Sequence, residues 1–129
     1  MTEATKLPPP GIDAKAYGFA LAQLTPAGGR SPGKVVQTEV ARLLRGLQEG
    51  QFLQVADYWL QQSGRPRLTI WDITTISDWL HDQYPLNLIA QAIDQAKESG
   101  KPLYTCNYIT PRLRALAQAS HDARVGGRR

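Results

Sequence analysis

The sequence predicts an all-α fold: a compact bundle of about five helices with a flexible Pro/Gly-rich N-terminal segment and a basic C-terminal tail. Three observations predict it. From Val36 to Ala117 apolar residues recur at three- and four-residue intervals, the spacing of one helix face. Gly50, Gly64, Pro85 and Gly100 fall between those runs. No pair of alternating segments flanks a hairpin turn. At 129 residues, 42% hydrophobic and 20% charged, the chain suits one globular core.

Residues 1–34 read as a tether. Pro8-Pro9-Pro10-Gly11 cannot be helical, and Thr25-Pro26-Ala27-Gly28-Gly29 to Gly33 is linker chemistry. Between them Ala14 to Leu24 suits a short helix with Tyr17, Leu21 and Leu24 on one side, although Gly18 sits in its middle. It either docks on the body or serves as a partner-binding peptide on a leash.

The helical domain proper spans 35–120. Val36, Val40, Leu43, Leu44 and Leu47 line one face of a helix that Gly50 breaks. Phe52, Val55, Ala56, Trp59 and Leu60 line the next, and so short a link predicts an antiparallel pair. Thr69 with Asp72 three places on is a capping-box variant that opens a third helix carrying Ile73, Ile76 and Leu80. Its β-branched run would fit a strand by propensity, but the spacing and the cap favour helix. Tyr84-Pro85 opens a fourth helix with Leu86, Ile89, Ile93 and Ala96 inside, closed by Gly100. After Lys101-Pro102, Tyr104, Tyr108, Ile109, Leu113, Leu116 and Ala117 suggest a last helix that fades near Ser120. Residues 121–129 form the basic tail.

The single Cys106 excludes an intrachain disulfide and a cysteine-based zinc site, and it reads as a small buried side chain in a reducing cytoplasm. No apolar run approaches the ~20 residues needed to cross a bilayer, and Met1 to Pro10 has no signal-peptide pattern, so no membrane association is expected. His81 and His121 lack metal-pair spacing, and no Gly-rich phosphate loop is present. Neither a cofactor nor catalysis is expected. Asp78 and Asp82, spaced i, i+4, read as a solvated acidic face before they read as metal ligands.

The net charge of +4 is unevenly spread. Residues 30–67 carry +3 and residues 68–99 carry −4, from five acids against Lys97; residues 100–129 carry +5, from six bases against Asp122. Lys101, Arg112, Arg114, Arg124, Arg128 and Arg129 are the candidate phosphate contacts, since arginine forks suit phosphate oxygens. Tyr104 and Tyr108 are candidate stacking residues, or else half-buried core. Trp59, Trp71 and Trp79 read as core or interface. Asp72, Asp78 and Asp82, with Asp94 and Glu98, would repel DNA and suit a basic protein partner or the Arg-rich end of a second copy.

Gly64-Arg65-Pro66, Leu68-Thr69, Asp78-Trp79-Leu80, Pro85-Leu86-Asn87-Leu88-Ile89, Ala92-Ile93-Asp94-Gln95-Ala96, Ser99-Gly100-Lys101 and Tyr108-Ile109 follow one another in an order that resembles the DnaD-like domain of bacterial and phage replication-initiation proteins. The resemblance covers roughly half the chain, or two thirds with the Phe52 helix. It implies a compact helical, primosome-type module that binds DNA without reading bases and helps assemble or load a helicase or its loader. That family's last helix carries tyrosine, isoleucine and tryptophan at four-residue intervals. Here Tyr108 holds the first position, and Arg112 and Leu116 stand at the other two. Residues 1–35 are too short for the winged-helix domain that precedes this module in many relatives, so a stand-alone module is expected. The rival expectation is a helical adaptor that binds only protein.

Overall fold

Capping and left-handed turns set where the helices begin and end. In the computed structural model, which describes residues 11–25 and 32–126, six α-helices follow in order: α1 Ala14–Leu24, α2 Lys34–Leu44, α3 Gln51–Ser63, α4 Ile70–His81, α5 Leu86–Glu98 and α6 Thr110–Gly126. A 3-10 turn, Cys106–Tyr108, precedes α6. Among the described residues there is no strand. The all-α expectation holds, with one helix more than expected in the body.

The extra body element is α1. Asp13 caps it by accepting from the Lys15 and Ala16 amides, and Ala16, Tyr17 and Ala20 are buried against α2 and α3. The short helix expected over Ala14 to Leu24 forms with those bounds, and of its two expected roles it is docking on the body that the structure shows. Gly18 does not prevent this, because it sits exposed on the outer side with open space around it. Residues 1–10 and 26–31 of the expected tether lie outside the described residues.

Two further expectations change at the corner between α2 and α3. The apolar spacing through Leu47 extended α2 too far: the helix stops at Leu44, and Gly46 turns left-handed at φ 83°. Gly50 turns the same way at φ 85° to launch α3. These two reversals splay α2 and α3 apart, so the expected antiparallel pair does not form. Instead α2 packs on α1 and α4, while α3 packs on α5, α4 and α1.

Trp59, Trp79, Phe52, Leu44, Ile73, Ile76, Ile93 and Leu113 are all essentially inaccessible at the centre. Each large side chain of this kind contributes about 1.5–3 kcal/mol by leaving water. Tyr58 on α3 donates its hydroxyl proton to Asp94 on α5, which fastens the outer edge of that packed pair. The same bond pushes the Tyr58 phenol above its ordinary range, with burial and the Asp94 charge adding to it.

At the far end, α6 runs to Gly126 and does not fade near Ser120, because Ala115, Ala117 and Ala119 are good helix formers. Part of the expected 121–129 tail is thus helical. No helix among the described residues is long and apolar enough to cross a membrane.

Candidate nucleic-acid interface

The stretch from Gly100 to Arg114 holds most of the expected contact residues, and its own apolar side chains hold it in place. Gly100 ends α5 in the left-handed region at φ 79°, which only glycine adopts cheaply. Leu103, Cys106, Ile109 and Leu113 then enter the core. The positions between them point outward: Lys101, Tyr104, Tyr108, Arg112 and Arg114 are all exposed. Tyr104 is 67% exposed and Tyr108 45%, so neither is a core tyrosine. Tyr104, expected at the start of the last helix, instead lies on extended chain ahead of the 3-10 turn.

Two side chains of α4 clamp this stretch. Asp72 accepts from the Cys106 amide at 3.0 Å and the Thr105 hydroxyl at 3.3 Å. Trp79 Nε1 donates to Thr110 Oγ1 at 3.0 Å, which fixes the first residue of α6. Asp72 also completes the capping box with Thr69, accepting from the Thr69 amide at 3.1 Å. It is 2% exposed. Asp72 therefore leaves the expected acidic face: its charge is consumed inside the fold by three donors, and no partner can reach it. Asp94 is likewise engaged by Tyr58.

Helix geometry divides the basic set. With Leu113 directed into the core, Arg112 and Arg114 lie on opposite flanks of α6. Tyr108 lies in the 3-10 turn just ahead of α6 and is exposed like Arg112. Arg114 shares the other flank with Asn107 and Thr110, and these three line a depression of about 190 Å³ with Thr75, Asp78 and Asp82. The sequence expectation of an Arg-rich end facing away from the acidic segment is corrected here. Arg114 sits beside the two exposed aspartates, so the local charge is mixed, and a head-to-tail contact between copies has less opposite charge to exploit. The Arg42 guanidinium is raised above its ordinary range first by its hydrogen bond and ion pair with Glu39 and more weakly by the charge of Asp78.

Arg124 falls in the last turns of α6, and Arg128 and Arg129 lie outside the described residues. His81 Nε2 donates to the Leu43 carbonyl at 2.9 Å, a fastening between α4 and α2. Cys106 is fully buried, and its thiol is pushed well above its ordinary range by burial and then by the neighbouring Asp72 charge. Among the described residues no three His, Cys, Asp or Glu side chains converge on a point where a metal could bind.

Of the two placements expected for the tryptophans, core or interface, Trp71 does not take the core one. Trp59 and Trp79 are buried, but Trp71 is 74% exposed in the first turn of α4. The helical period offered a signal: Trp71 is out of phase with Ile73, Ile76 and Leu80, and in phase with Asp78 and Asp82.

Against this geometry, no protein-family model, no curated protein and no solved structure matches the chain.

Proposed function

We propose that the protein is a non-enzymatic, sequence-tolerant DNA-binding and assembly module, acting in the cytoplasm and resembling DnaD-like replication-initiation domains. The observation that supports this most directly is the division of residues 100–114 into buried apolar anchors and an exposed set of Lys101, Tyr104, Tyr108, Arg112 and Arg114. Cations on a rigid backbone suit phosphates, and exposed rings suit bases. With no base-reading motif in the sequence, the proposed contacts are to phosphates and ring faces, which makes the binding sequence-tolerant. The protein partner implied by the resemblance is a replicative helicase or its loader, with self-association as a further mode.

Fluorescence anisotropy with labelled single- and double-stranded oligonucleotides at two salt concentrations tests this reading. Each phosphate contact contributes about 0.7–0.9 to the slope of log affinity against log salt. Arg112→Ala is expected to weaken binding and lower that slope by about one contact, while Arg114→Ala, beside Asp78 and Asp82, does less. Absence of binding even at low salt refutes the reading.

A second reading is favoured by a groove of about 250 Å³ between α3 and α5, floored by Val55, Leu86, Ile89, Ala90 and Ile93. It suits an adaptor that binds only protein. Arg112→Ala, away from both that groove and the exposed Asp78 and Asp82, leaves adaptor binding unchanged while it weakens DNA binding, and so separates the two.

A further inference from the structure

We infer that Trp71 and Tyr104 form a stacking platform for unpaired bases, so that the protein prefers single-stranded to double-stranded nucleic acid. This rests on the DNA-binding reading and adds to it both a strand preference and a residue outside the basic stretch. The two rings belong to segments joined by one buried junction. Asp72 follows Trp71 directly, and its carboxylate holds the amide two residues beyond Tyr104 at 3.0 Å. Summing the bonds across that junction places the Trp71 and Tyr104 Cα atoms no more than about 17 Å apart. Both side chains are exposed, at 74% and 67%.

Charge at this end of α4 suits a phosphate chain. Arg65 and Arg67 lead into Trp71, and Lys101 leads into Tyr104. No acid lies between Ser63 and Trp71 or between Gly100 and Tyr108. The one acid at the junction, Asp72, is buried and saturated by its three donors. Arg67 donates to the Thr25 carbonyl at 2.9 Å and stays exposed, as Arg65 and Lys101 do.

The outer stripe of α4 also sets a direction. Trp71, Thr75, Asp78 and Asp82 follow at i, i+4, i+7 and i+11, so Asp78 lies about 10 Å along the helix from Trp71 and Asp82 about 16 Å. A strand seated on Trp71 is repelled along that stripe and must cross the N-terminal end of α4 toward Tyr104. In a duplex the base faces are occupied by their neighbours, so two projecting rings gain a stacking surface only from unpaired bases.

Intrinsic fluorescence tests this without a label, because Trp59 and Trp79 are buried and Trp71 is the indole that solvent reaches. Adding a short oligothymidylate to the full chain is expected to quench Trp71 and protect it from iodide; the matching duplex does neither. Trp71→Ala is expected to lower single-strand affinity by between about five-fold and a hundred-fold with the salt slope kept, and duplex affinity by less than about two-fold. Trp71→Phe falls between. Since Trp71 is exposed, the Ala variant keeps the wild-type melting transition, and Tyr104→Ala provides an independent second variant. Equal binding of both strand forms with no indole response overturns the platform while leaving the DNA-binding reading in place. No binding of either overturns both. Iodide protection of Trp71 in the free protein that is lost on dilution assigns the surface to a second copy and also overturns the platform.

Discussion

Replacing Asp72 tests whether one buried carboxylate organises both the start of α4 and the approach to α6. In the native chain one carboxylate oxygen accepts from the Thr69 amide at 3.1 Å, and the other accepts from the Cys106 amide at 3.0 Å and the Thr105 hydroxyl at 3.3 Å. Asp72→Ala removes the reciprocal half of the capping box, the hydrogen bond from the Thr69 amide, worth about 0.5–1.5 kcal/mol. It also strands the buried Cys106 amide without an acceptor, at about 1–3 kcal/mol. Together these predict a loss of about 3 kcal/mol. With a urea m-value of about 2 kcal/mol/M, the unfolding midpoint falls by about 1.5 M. Asp72→Asn is the sharper case, because the two oxygens face two different backbone N–H groups. An amide must turn its NH₂ toward one of them, donor against donor, so the near-isosteric change still costs about 1–3 kcal/mol. Urea unfolding followed by far-UV circular dichroism measures both. If both variants unfold within about 0.5 kcal/mol of wild type, the junction does not bear on stability and the reasoning fails.

Two other consequences concern titratable groups. Asp13 is held below its ordinary value of 3.8, first by the Gly50 amide and then by the Ala16 and Lys15 amides. A depressed carboxylate contributes stability above its unfolded value and loses it as pH falls through the folded value, so the stability gap between wild type and Asp13→Asn should close below pH 3.8. An acid titration of the two melting temperatures checks this, and a gap that stays constant speaks against it. Cys106, buried and raised well above the usual thiol range, should resist a disulfide reagent at mildly alkaline pH and react at once in denaturant. Rapid labelling of the native protein would contradict that placement.

The regular part of this fold was legible because it is local. Periodicity located α3, α4 and α5 nearly to the residue, and the Thr69 and Asp72 pair announced the start of α4. What escaped depends on partners distant in the chain. The spacing that marked Asp72 as a cap could not show that its second oxygen holds residue 106, and so it was placed on a charged surface. Helix α1 is legible as a helix from Ala14 to Leu24, but its docking is not, because that depends on burying Ala16, Tyr17 and Ala20 on helices formed later in the chain. For Trp71 the core-or-interface reading left two placements open, and its phase on the helix, with Asp78 and Asp82, points to the exposed one. At the candidate site, Lys101, Tyr104, Tyr108 and Arg112 were found from residue type and all proved exposed. That Arg114 belongs to the opposite flank needed the direction of Leu113.

The fastening of α1 constrains the order in which this chain can become ordered. Its carboxylate Asp13 accepts from the Gly50 amide at 2.8 Å, and the Gly11 carbonyl accepts from the Gly46 amide at 3.0 Å. Both partners lie on the corner between α2 and α3. A ribosome delivers residues 14–24 well before that corner exists, and eleven residues are too few to hold a helix alone in water. Helix α1 is therefore one that must wait for later residues to create its seat, so synthesis and assembly run in different orders along the same chain.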